Sequence, residues 1–109
     1  MNWFEALAPN NALIINKSLI RILGLNGAVL VSELINQYNL CQAKKELIDG
    51  SFYTTAKKLE NNTGLDENQL KDELFKLKTI GIIDYCNLGL SRKKYFRFNK
   101  KTLWKVLQE

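Results

Sequence analysis

The sequence predicts an α+β fold, mainly helical, on three observations. Apolar residues recur at helical spacing in two long stretches, through Ala28, Val31, Leu34, Ile35 and Tyr38 and through Leu70, Leu74 and Leu77. The period then drops to two, with Phe96 and Phe98 alternating with Tyr95 and Arg97, as in a half-buried strand. Single glycines at 24, 64 and 81 stand where helices of this spacing should stop.

The elements follow in order. Residues 1 to 12 form a short lead with Pro9, the one proline, and one turn of apolar face in Trp3, Phe4 and Leu7. "ALIIN" reads as a brief strand. Asn16 or Ser18 then caps a short helix, "SLIRILG", ended by Gly24. "NGAVLVSELINQYNL" is the clearest long helix, with Asn26 as its expected cap. "CQAKKELIDG" reads either as its continuation or as a polar loop, with a turn at Asp49-Gly50.

"SFYT" reads as a short strand, after which Thr54 or Thr55 caps "AKKLENN", whose inward residues are Ala56 and Leu59. Gly64 in "TGL" suits a sharp turn between helices. Asp66 and Gln69 have capping-box spacing, so the next helix should start there, with Leu70, Leu74 and Leu77 inward and Gly81 at its end. "IIDYCN" and "KKYFRFN" read as two strands joined by "LGLS", and "KKTLWKVLQE" as an amphipathic helix capped by Asn99, with Leu103, Val106 and Leu107 inward. Helix, turn, helix and hairpin in this order predict a winged helix-turn-helix: a two-stranded β-hairpin wing, extra N- and C-terminal helices, and one domain over residues 1–109.

Composition bounds the function. At 46% apolar and 25% charged, with uninterrupted apolar runs of about five residues, the chain is expected to be soluble and cytoplasmic, without a membrane partner. Cys41 and Cys86 are 45 residues apart and are expected to be reduced thiols. With no histidine and no glycine-rich phosphate loop, neither an enzyme nor a metal site, cofactor or small-molecule substrate is expected.

The net charge of +5 is not evenly spread. Residues 1–50 and 51–80 are each neutral, and the whole excess falls in residues 81–109, which hold seven basic and two acidic side chains. A basic stripe confined to one region is the footprint of a polyanion contact. The expected partner is DNA, duplex rather than single-stranded. Arg92, Lys93 and Lys94 would contact its backbone from the hairpin, with Lys100 and Lys101 extending the strip. Thr55, Lys57 and Lys58 at the start of the preceding helix add phosphate contacts.

Base reading would fall to the outward face of residues 66 to 79. Asn68 and Gln69 are sensible adenine readers, and Lys71 and Lys76 flank them. That helix nevertheless begins "DENQLKDE", with four acids, and places Asp72 and Phe75 outward. Asp72 and Phe75 instead suit a partner surface, as do Trp3, Phe4 and Trp104 in the apolar terminal sets; a homodimer is expected through those termini. Alternative readings are therefore a protein–protein interaction or oligomerisation module, or a small transcription regulator.

The run "FYTTAKKLENNTGLDENQLKDELFKLKTIGIIDY", with "GLSRKKYFRFN" closing the hairpin and "INKSLIRILGLNGAVLVSELI" leading in, resembles the winged-helix N-terminal domain of Gram-positive phage and plasmid replication proteins of the DnaD-like or replisome-organiser type. The resemblance covers about residues 14–107. It implies a winged helix, DNA binding through Asn68, Gln69, Lys71 and Arg92 to Lys94, self-association, and a role in replication initiation or primosome assembly beside a replication-protein partner. Similar proteins commonly carry basic residues early in the reading helix, where this chain has Asp66, Glu67 and Asp72.

Overall fold

Asn16 starts the first helix: its side-chain oxygen accepts a hydrogen bond from the Ser18 amide at 2.7 Å. The computed structural model describes residues 13–87 and 93–108, and these are α+β, mostly helical, with a small three-stranded antiparallel sheet. Helix α1 (Lys17–Ala43) is broken by Gly24, at φ 78° and ψ 171°, into two arms. That conformation is essentially restricted to glycine, because a Cβ would collide with the backbone. Asn26 is therefore not a cap as expected: it lies inside the second arm with helical backbone angles. The expected strand "ALIIN" is also absent over residues 13–16, where the chain runs without strand partners and Asn16 is committed to capping.

The helix runs through Ala43, after which Asp49 and Gly50 both take positive φ and Ile48 and Ser51 exchange two hydrogen bonds of 2.9 Å. This is the pattern of a tight two-residue turn at "DG". It delivers the chain to β1 (Phe52–Thr55). Thr55, rather than Thr54, caps α2 (Ala56–Thr63) by accepting from the Lys58 amide at 3.2 Å. Gly64, left-handed, closes α2, and a capping box between Asp66 and Gln69 opens α3 (Glu67–Ile80). β2 (Ile83–Asn87) and β3 (Lys93–Phe98) follow, and Asn99 caps α4 (Lys100–Gln108) by accepting from the Thr102 amide at 3.2 Å.

The strand order is β1-β3-β2, with Phe52 opposite Phe96 and Tyr85 opposite Phe96 on the other side. The hairpin is thus part of a three-stranded sheet rather than the two-stranded unit expected, because β1 supplies a partner for the free edge of β3. Its inner face stacks Phe52 on Phe96 and Phe98 at ring separations of 5.7 and 5.9 Å, with Tyr38 of α1 edge-on to Phe52 and Phe98. Leu34, Leu59, Leu70, Leu74 and Leu77 complete the core beneath. Ile35, Tyr38, Ala56, Leu103 and Leu107, expected inward, are only partly buried at its margin. At 27 residues and mean hydropathy 1.6 over its most apolar stretch, α1 is long and apolar enough to cross a membrane by those measures alone. Here part of that apolar surface packs against the sheet and the other helices, while Ile20, Ile22, Leu25 and Leu40 stay exposed.

Gly27 is needed for a different reason than Gly24. A Cβ there would stand 2.9 Å from Leu23 Cβ and 3.1 Å from Glu73 Oε2 of α3. Alanine is favoured over glycine in a helix by about 1 kcal/mol, but overpacking costs about 1–3 kcal/mol. Gly27→Ala should therefore lower the urea midpoint with an unchanged slope. Gly24→Ala should lose about 1–3 kcal/mol by the same measurement, through backbone strain alone.

Candidate nucleic-acid interface

The sheet register decides which basic residues can act together. Thr55 pairs with Lys93 and Thr54 with Lys94, so the start of α2 sits beside the first residues of β3, at the hairpin-tip end of the sheet. Lys57 and Lys58 are exposed on the first turn of α2. Thr55, Lys57, Lys58 and the backbone of Lys93 and Lys94 thus gather at one end. Arg92 lies outside the described residues.

Lys100 and Lys101 are elsewhere. Ile83 pairs with Phe98, whereas Asn87 pairs with Lys94, so Phe98, two residues before α4, is about 13 Å from the tip-side pair at ~3.3 Å per residue. The single basic strip expected from sequence is two clusters. The second surrounds an open groove formed by Lys78, Arg97, Lys100 and Lys101 with Gly81 and Asn99. Three of its cations have partners: Lys78 Nζ lies 3.7 Å from Asp84 and 4.7 Å from the Tyr85 ring centre, Lys100 Nζ lies 5.6 Å from that of Tyr38, and Arg97 donates to the Asp49 carbonyl.

The acids of α3 separate by role. Asp66 accepts from the Gln69 amide at 2.8 Å and caps the helix. Glu67 occupies the first turn, where the helix dipole favours a carboxylate. Glu73 is buried against α1 and paired with Lys76 at 3.3 Å. Asp72 remains as the acid on the face opposite Leu70, Leu74 and Leu77. Asn68 and Lys71 are exposed as expected. Gln69 is exposed too, but its side-chain oxygen accepts from the Asp66 amide at 3.0 Å, which ties one end of a proposed adenine reader to the helix terminus. The Thr79 hydroxyl is likewise engaged, donating to the Phe75 carbonyl at 2.8 Å.

Phe75 is 68% exposed, and beside it Ile80 and Ile22 are also exposed. With Leu23, Lys76 and Thr79 they line a shallow groove of about 360 Å³ between α3 and the first arm of α1. Sequence reading singled out Phe75 but missed Ile22 and Ile80, since nothing in the chain indicates which arm of α1 approaches α3. Trp104 is 62% exposed on α4. Trp3 and Phe4 lie outside the described residues. Cys41 and Cys86 are both free thiols. Among the described residues no three cysteine, aspartate or glutamate side chains gather as metal ligands would.

No family model matches this chain, and no curated protein or solved structure matches it.

If Asp66 and Gln69 hold the start of α3, Asp66→Ala should lose about 1 kcal/mol of stability through the cap. Thermal unfolding of Asp66→Ala beside Asp66→Asn, which retains the acceptor, checks this; asparagine should recover most of the loss.

Proposed function

We propose that this protein is a winged helix that binds duplex DNA. In this reading α3 lies toward the major groove, and the start of α2 and the hairpin of β2 and β3 rest on flanking phosphates. The observation that carries it is the Thr55–Lys93 pairing, which brings the lysine pair of a capped helix start and the basic strand to the same end of the sheet. Capped helix starts and lysines are phosphate-binding groups, and they supply affinity without sequence information. The strand order β1-β3-β2, with a helix, a three-residue connection and a second helix between β1 and β2, supports the winged-helix assignment. The resemblance of residues 14–107 to phage and plasmid replication proteins supports a role in replication initiation or primosome assembly, in the cytoplasm.

A second reading has its own support. The apolar groove beside Phe75 runs along the flank of α3 that meets the first arm of α1, next to the outward face where duplex recognition would want polar groups. This favours a winged helix used for protein interaction or self-association.

Fluorescence anisotropy with a random-sequence duplex across a salt series separates the two. Each phosphate contact contributes about 0.9 to the slope of log K against log salt. The Lys57→Ala/Lys58→Ala variant should therefore flatten the slope by about 1.8, and Arg92→Ala/Lys93→Ala/Lys94→Ala by about 2.7. Lys100→Ala/Lys101→Ala should change it less. No binding to duplex at low salt would move the assignment to a protein partner.

The proposed homodimer is checked by sedimentation at high micromolar concentration. The unaltered chain should sediment as a dimer, and Phe75→Ser or Trp104→Ser should shift it toward monomer, according to which apolar surface forms the contact.

A further inference from the structure

A third concave site lies on the Tyr53–Tyr95 side of the sheet. The end of α1, the loop before β1 and the outward face of β1 and β3 enclose a cavity of about 270 Å³. Its walls include Gln37, Tyr53, Tyr95, Lys44 and Lys58, with Glu46 the one acid among them. That volume is just under the ~300 Å³ at which pockets for drug-sized ligands begin, so it suits a single planar ring system.

Gln37 is the unusual wall residue. It is 3% exposed, and its Nε2 is fully buried with no acceptor among the described residues. A buried donor left without an acceptor is costly, and such groups in native proteins call for an explanation. Leucine at 37 would fill the same space beside Leu34 and Leu40 without that cost. Nε2 is closed to solvent as the side chain stands, so a ligand in the cavity supplies the acceptor once the Gln37 amide turns toward it.

The other walls define what the ligand carries. Tyr53 and Tyr95 are cross-strand partners with ring centres 5.9 Å apart and planes tilted by 42°, and both rings line the cavity. Adjacent tyrosine rings on a sheet are a stacking platform for planar groups, and bases stack on them with little regard to sequence. Lys58 and Lys44 place positive charge at the walls, where an anion attached to the ring would be held.

The geometry points to a site for one unpaired nucleotide: a base against Tyr53 and Tyr95, a base carbonyl or ring nitrogen accepting from Gln37 Nε2, and the attached phosphate near Lys58 and Lys44. The same chemistry is offered by a free nucleotide and by a base in single-stranded DNA. The site shares Lys58 with the proposed duplex surface but does not depend on duplex binding.

The test is an NMR titration of the full chain, following the Gln37 side-chain amide and the tyrosine rings, with thymidine monophosphate in one arm and a short oligothymidylate in the other. Saturable movement of the Gln37 amide and both rings is expected in at least one arm. A response to the mononucleotide identifies a free nucleotide as sufficient, and a response to the oligonucleotide alone identifies an unpaired base within a strand. Gln37→Leu should abolish the response while unfolding at the same or higher temperature, and Tyr95→Ala should weaken binding about tenfold. Gln37 and ring resonances that stay still in both arms up to millimolar probe would overturn the proposal. So would binding unchanged in both variants. The duplex salt series is scored separately: nucleotide binding without duplex binding would leave this site standing and remove only the winged-helix DNA reading.

Discussion

At Gly27 a Cβ would crowd both Leu23 in the first arm of α1 and the Glu73 carboxylate of α3, so the seat of α3 on α1 is fitted to the missing side chain. Glu73 reaches into the seam, where a Cβ at position 27 would meet its carboxylate, and Lys76 pairs with it at the rim. Almost two helical turns along α1, Glu33 accepts a hydrogen bond from Asn62 near the end of α2 at 3.3 Å. Two nearly buried carboxylates thus register the α2–α3 pair on α1 at two points, while Leu30, Val31 and Leu34 supply the apolar contact. Burial of apolar surface is non-directional, so it would hold the helices together in several orientations; the carboxylates and the missing Cβ select one.

That orientation has a consequence for the acids of the outward helix. A count of charges along "DENQLKDE" suggests a surface hostile to a polyanion. In three dimensions Asp66 is turned back onto the helix start, Glu73 is beneath the helix, and Glu67 sits in the favourable first turn. Asp72 is the acid on the face turned away from the core. The same geometry brings Phe75 and Ile80 beside Ile22, an apolar strip that polar groups would occupy on a surface built only for base edges.

The sheet couples to this arrangement through its aromatic inner face. Phe52, Phe96 and Phe98 form one layer and Tyr38 locks it edge-on to α1, so the hairpin cannot rotate independently of the helices. Its outward face is different in kind. Tyr53 and Tyr95 pair across β1 and β3 and line the same cavity as Gln37. One short sheet therefore separates a packed aromatic core from an accessible aromatic wall, as strand alternation requires.

Local chemistry along the chain determined the parts. Asn16, Thr55, Asp66 with Gln69, and Asn99 cap helices because their side chains bond to nearby amides. Gly24, Gly64 and the Asp49-Gly50 turn act through their own backbone angles. The leucine stripe of α3 and the alternation of β3 follow from helix and strand periods. All of these depend on neighbours within a few residues and were legible in the sequence, Asn16 and Thr55 each as one of two candidates. The exceptions, "ALIIN" and Asn26, were a strand without a partner and a cap made unnecessary by the break at Gly24. What only the tertiary structure decided was who meets whom: β1 completing the hairpin sheet, Lys57 and Lys58 joining Lys93 while Lys100 and Lys101 fall at the opposite end, Glu73 beneath its helix, and Gln37 beside Tyr53 and Tyr95. Those outcomes depend on strand register and helix orientation. A one-residue slip of register or a modest rotation of a helix would exchange one set of neighbours for another, and no local pattern in the chain records which was chosen.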